Sequence, residues 1–171
     1  MTVRRLLAGV VLAAAALAWG KGSYPPAMEG ARVETYKSVG GADLKVWIFE
    51  PTNAPAPRAA IVFFFGGGWR SGSPSQFEPQ CRHFAARGMV AVAADYRVAM
   101  RQQVKPAECV ADAKSCVRWL RRNAERLGID PHRLVAAGGS AGGHLAAAVA
   151  TLPGLDEKRE GAAVSCVPDA L

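Results

Sequence analysis

Residues 135–148, "VAAGGSAGGHLAAA", place one serine among glycines, after an apolar run and before an alanine-rich segment. Such a serine can be an activated nucleophile, part of a phosphate-binding turn, or a tight bend. The order predicts a strand at 134–137, a sharp turn at Ser140 and a helix over 141–151. Gly138 and Gly142 remove the Cβ atoms that would clash where a strained turn folds over itself. In that context the N–H of Ala141 and the start of the helix dipole face the same space as the serine hydroxyl.

A second glycine group, Gly66-Gly67-Gly68-Trp69, ends the apolar run 59–65, where a loop can deliver further N–H groups toward the serine. A phosphate-binding loop would need Gly-Lys-Ser/Thr at its end, and neither glycine group provides it. Gly66-x-Gly68 followed by Asp95 copies part of a dinucleotide fingerprint. Against that reading, its third position is Ser71, Trp69 and Arg70 crowd the turn, and two strands already precede it.

With 171 residues, 50% hydrophobic and 20% charged, the chain can bury one globular core. Segments 32–38 and 44–50 read as a hairpin turning at Gly40-Gly41. The runs 59–65 and 89–94 are continuously apolar, as in strands buried on both faces of a parallel sheet. Residues 75–87 form the helical connection between them, irregular before Pro79 and stopped at Gly88. Val110, Ala113, Val117, Leu120, Ala124 and Leu127 recur at three and four, predicting one helix over 106–127 ended by Gly128. A turn through Asp130-Pro131 follows. Strands alternating with helices imply a three-layer α/β/α sandwich.

Phe64-Phe65-Gly66-Gly67-Gly68-Trp69, Asp95-Tyr96-Arg97, Gly128-Ile129-Asp130-Pro131 and Gly139-Ser140-Ala141-Gly142-Gly143-His144-Leu145 resemble, in order and spacing, the α/β-hydrolase superfamily. The similarity covers roughly residues 32–152. Its nearest branch is that of hormone-sensitive-lipase-like and acetylxylan- or feruloyl-type esterases. The resemblance implies a serine carboxylesterase with Ser140 as nucleophile and Gly67, Gly68 and Ala141 as oxyanion-hole donors. It implies an ester substrate with a small-molecule or carbohydrate alcohol, and no metal or organic cofactor. A serine peptidase of the same superfamily and a non-catalytic degenerate hydrolase or binding module are the other readings. One departure stands in the loop: the histidine usual before the three glycines is Phe65. Donors on the backbone survive that change, while whatever support the side chain gave is lost.

In this fold the acid and histidine follow the serine. His144 alone follows Ser140, one helical turn on, where it cannot also be a base delivered by a late loop; His83 and His132 precede it. All three are expected in packing or hydrogen-bonding roles. Asp156 and Asp169 lie later, without a histidine to orient. Asp112 and Asp130 read as helix-surface and turn residues, and Asp95, Tyr96 and Arg97 as supports beneath the site. Asp169-Ala170-Leu171 reads as the start of a further strand, and without later strands the edge around Val135 would be unpaired. The expectation is therefore a partial hydrolase domain over 32–171 lacking the C-terminal part of the sheet. A C-terminal segment or a partner chain would complete it.

Met1-Thr2-Val3-Arg4-Arg5, then an apolar run to Ala18, has the layout of a secretory signal. Ala16-Leu17-Ala18 places cleavage after Ala18, leaving 19–31 as a linker and the mature protein exported; a retained N-terminal anchor is the alternative. The run is short for a membrane span, and no cysteine at the cleavage point offers a lipid anchor. Arg4 and Arg5 account for two of the seven net positive charges. The cluster Arg118, Arg121, Arg122 and Arg126 has no interleaved aromatics and reads as a solvated face, not a nucleic-acid groove. Four cysteines permit disulfides. Cys109 and Cys116, about 10 Å apart along one helix, cannot pair. Cys81 with Cys109 is the preferred pair if one exists, and buried free thiols are the alternative.

Overall fold

The computed structural model describes residues 24–157, 160 and 163–171. The expected export signal, its cleavage point and the start of the linker lie outside them. Strands β1 (Arg32–Val39) and β2 (Ala42–Phe49) form the expected hairpin, paired from Arg32↔Ile48 to Val39↔Ala42. Gly40 and Gly41 turn it at φ of 56° and 75°, the conformation whose twist suits two right-twisted strands. A register shift between Thr35 and Lys37 interrupts the alternation, so that the neighbours Tyr36 and Lys37 are both buried.

The two continuously apolar runs are β3 (Arg58–Phe64) and β4 (Val90–Ala94). With β5 (Ile129–Gly138) they make one sheet in the order β1-β2-β4-β3-β5. β3 lies between β4 and β5 and is parallel to both, and the central β4 meets the hairpin antiparallel through β2. Their sequences do not alternate because each face feeds its own core. Ala60, Val62 and Phe64 enter one cluster, and Ile61 and Phe63 the other.

A 3-10 turn (Pro74–Phe77) runs into α1 (Glu78–Ala85) and covers the face of Phe63 and Trp47. The other face is covered by α3 (Pro106–Arg122), α4 (Ala124–Leu127) and α5 (Ala141–Thr151), with a short α2 (Ala99–Gln102) before them. The result is the expected three-layer α/β/α architecture. The helix predicted over 106–127 is broken in two at Asn123, whose side-chain amide donates to the Trp119 carbonyl at 2.8 Å. The turn expected at Asp130-Pro131 is present as an irregularity inside β5, between the pairs Arg58↔Ile129 and Ala60↔Leu134, where the His132 N–H donates to Asp130 Oδ1 at 2.9 Å. Asp169 and Ala170 lie along the far edge of β5, with a parallel bridge Val135↔Ala170, so that edge is paired there instead of bare.

Three polar expectations need correcting. Cys81 and Cys109 sit in clusters on opposite faces of the sheet, and all four cysteines are buried free thiols. Arg118 and Arg121 are not a solvated face. Arg118 is 5% exposed and bonds Asp156 and the Val164 carbonyl. Arg121 donates to the carbonyls of Pro131, Ser165 and Val167 and to Asp169, tying the last residues to β5. Asp112, expected on a helix surface, is fully buried between Lys37 and Arg97. No helix among the described residues is long and apolar enough to cross a membrane.

Candidate active site

Ser140 stands at the C-terminal end of β5, exposed, with φ 53° and ψ −118°. A non-glycine residue there costs on the order of 1–3 kcal/mol and persists only where its surroundings fix it. Those surroundings are backbone. A Cβ on Gly142 would lie 1.9 Å from the Phe64 carbonyl oxygen, and one on Gly138 2.4 Å from the carbonyl carbon of Gly142. The end of β3 and the start of α5 thus meet at glycine-only distance, and the chain between them is forced into the turn that lifts Ser140. Gly142→Ala is expected to force β3 and α5 apart, at about 1–3 kcal/mol or more. A urea midpoint equal to that of the parent would show that this packing is not as tight as described.

The second glycine loop meets the first. A Cβ on Gly66 would come within 3.4 Å of the Ser140 Cβ and 2.9 Å of the Gly139 carbonyl oxygen. The Gly67 carbonyl accepts from the N–H groups of Arg70 and Ser71 at 3.1 and 3.2 Å. No protein group among the described residues takes the N–H of Gly67, Gly68 or Ala141. Gly66 thus packs against Ser140, with Gly67 and Gly68 next to it on an exposed loop and Ala141 next to the exposed Ser140 at the start of α5.

The loop is held from below by Tyr96, expected from the sequence as a support beneath the site, and by Gln76, which was not. Tyr96 Oη donates to the Phe65 carbonyl at 2.7 Å, and the Gly66 N–H to Gln76 Oε1 at 2.6 Å. Phe65, fully buried, stacks on Tyr96 with ring centroids 4.1 Å apart, so packing supports the loop at the position where the sequence suggested support was lost. Only Asp95-Tyr96-Arg97 had marked this region; Gln76 carried no sequence signal. Trp69, at φ 59°, packs edge-on against His144 with centroids 5.2 Å apart.

Among the described residues no histidine side chain is hydrogen-bonded to the Ser140 hydroxyl; His144 meets Ser140 through its backbone N–H, which donates to the Ser140 carbonyl at 3.0 Å. His83 contacts Arg87 and Phe84, His132 lies in the turn capped by Asp130, and His144 packs on Trp69. Asp169 accepts from the Leu134 N–H at 2.9 Å, six residues or about 20 Å of strand away from Ser140. The Arg118 guanidinium bonded to Asp156 holds that exposed carboxyl below the usual range.

Asp95 is different: burial pushes its carboxyl up to about 6, opposed by hydrogen bonds from Tyr24 and the charge of Arg101. Its native value exceeds the unfolded value of about 3.9. Its contribution to stability is therefore fully present below about pH 4 and lost as pH rises through 6. Asp95→Asn cannot ionise and is expected to flatten the dependence of the urea midpoint on pH between 4 and 6. An unchanged slope would place the titration elsewhere.

The BD-FAE family model matches residues 46–165. Carboxylesterase NlhH of Mycobacterium tuberculosis is 34% identical over 114 residues, covering 66% of this chain and 35% of that protein. The structure of Thermogutta terrifontis esterase 2 phosphorylated by paraoxon superimposes with a TM-score of 0.84 at 55% identity, over 86% of this chain and 58% of that one. Its propionate-bound form gives 0.83 at 56% identity, over 86% and 56%. The chain thus spans about a third of the length of the curated carboxylesterase and little more than half of the solved esterase. Sharing the α/β-hydrolase fold with these esterases, and matched by the family model over more than half its length, the chain belongs to the BD-FAE family.

Proposed function

We propose that the chain carries the nucleophile and oxyanion half of a serine carboxylic-ester hydrolase. The observation that carries this reading is Ser140, exposed at positive φ with unbonded N–H groups of Ala141 and the Gly67-Gly68 loop close by. Ser140 Oγ attacks the ester carbonyl carbon while its proton passes to a base. The carbonyl π pair moves onto oxygen, and the oxyanion is received by the N–H groups of Gly67, Gly68 and Ala141. Collapse expels the alcohol, which takes the proton. Water then attacks the acyl-serine by the same route and releases the acid.

Short-chain or carbohydrate-linked esters are the proposed substrates, and the relative with propionate bound supports a short acyl group. Since no imidazole of this chain is bonded to Ser140, we propose that base and acid come from outside the described site, from a completing segment or a partner chain. Export through the 1–18 signal is part of the same proposal. The test is intact-mass analysis after a fluorophosphonate, on the 171-residue chain and on a form extended past Leu171. A single adduct at Ser140 in either form supports the reading. No adduct in either favours a non-catalytic protein of this fold.

A further inference from the structure

The loop that carries Gly67 and Gly68 is gripped at its far side by α2. The N–H of Ala99 donates to the Trp69 carbonyl at 2.9 Å and that of Met100 to the Arg70 carbonyl at 3.0 Å. The third grip is a side chain: Arg101 Nη1 donates to the Gly72 carbonyl at 2.8 Å. Gly72 has φ 114°, and a Cβ there would lie 2.3 Å from the Gly66 carbonyl oxygen and 2.5 Å from the Phe65 ring. The loop therefore closes on itself at Gly72, and the Gly72 carbonyl is where its two ends are pinned.

The Arg101 guanidinium is itself fixed. Its carbon lies 4.0 Å from the Tyr24 ring centroid and 5.9 Å from that of Phe65. Its Nη2 reaches Tyr24 Oη at 3.1 Å and Asp95 Oδ1 at 3.3 Å, and Tyr24 Oη donates to the other oxygen of Asp95. Arg101 Nε is buried with no partner among the described residues. A planar fork stacked on one ring, with separate bonds to a carbonyl and a carboxylate, is an arrangement an ammonium group cannot reproduce.

We propose that Arg101 is a positioning residue for the oxyanion loop, fixing Gly67 and Gly68 against Ser140 through the Gly72 carbonyl, with Tyr24 and Asp95 holding its guanidinium in place. This rests on the reading of Gly67 and Gly68 as oxyanion donors. Losing one such donor costs about 10²- to 10³-fold in kcat, and displacing a positioned group by about 1 Å costs up to roughly 10²-fold. Arg101 touches no reacting atom, so its loss acts on the geometry of the transition state more than on substrate binding.

The test uses whichever form of the protein takes up a fluorophosphonate at Ser140, with p-nitrophenyl acetate as substrate and thermal unfolding alongside. Arg101→Gln is expected to lower kcat about 10- to 100-fold with KM within about three-fold of the parent, and Arg101→Lys to recover part of the loss. An unchanged kcat, or a change confined to KM, would overturn the proposal. Should Arg101→Gln not fold, Tyr24→Phe removes the hydroxyl that braces Arg101 and Asp95. It is expected to lower kcat by a smaller factor, and full activity there would also overturn it. Failure of the parent to label in any form overturns this proposal together with the reading of Ser140; a labelled parent with a fully active Arg101→Gln overturns this one alone.

Discussion

In the form of the protein that takes up a fluorophosphonate, Ser140→Ala is expected to gain no mass from that probe and to lose hydrolysis of a short p-nitrophenyl ester by about 10⁴- to 10⁶-fold. The expectation is that large because the variant removes the bond-forming atom while leaving everything else in place. The turn is set by the close approach of β3 and α5 at Gly138 and Gly142, not by the hydroxyl. Alanine accepts the same strained φ no worse than serine, so stability is expected to stay within about 0.5 kcal/mol of the parent. The N–H groups of Gly67, Gly68 and Ala141 remain available to polarise a carbonyl, and a residual rate above that of water is the expected remainder. Retained labelling or turnover in the folded variant would remove Ser140 from the mechanism.

This part of the molecule was legible in the sequence because backbone writes it. A continuously apolar strand, a glycine where two main chains touch and a serine between glycines are local signals, and β3 and α5 follow from them nearly residue for residue, while β5 begins five residues before the expected strand at 134–137. What stayed hidden depends on partners distant in the chain. Gln76 holds the loop through a single hydrogen bond to its backbone, and nothing in its own neighbourhood distinguishes it from a surface residue, whereas Tyr96 was legible as a support beneath the site. Tyr24 reaches Asp95 across 71 residues. Asn123 shows the same limit on a smaller scale: apolar spacing continues smoothly through 106–127, while a side-chain amide turned back on the helix breaks it. The cysteine pairing failed because spacing says nothing about which face of a sheet a helix covers.

Asp112 is the case with the largest consequence for folding. Its position on α3 suggests a surface, yet it is fully buried and accepts from Lys37 Nζ, from Arg97 Nε and Nη2, each at 2.8 Å, and from the Arg97 N–H at 3.1 Å. Lys37 is turned inward by the irregularity in β1, and Arg97 follows Tyr96 directly, so one carboxylate joins the hairpin, α3 and the segment beneath the glycine loop. Both cations have nearly inaccessible side chains, 5% and 10% exposed. Asp112→Asn removes the negative charge and leaves two buried cations facing one neutral amide, with Glu157 the remaining carboxylate at Lys37. Breaking a buried pair from one side costs about 3–5 kcal/mol, because the stranded charge keeps its desolvation penalty. For a domain of this size that corresponds to a fall in Tm of roughly 6–20 °C. The exposed pair of Arg32 with Glu50 is the natural control, where Glu50→Gln is expected to cost less than about 1 kcal/mol. Thermal unfolding of both variants decides the matter: equal small losses would mean that water reaches Lys37 and Arg97 and that Asp112 is not the keystone of this charge cluster.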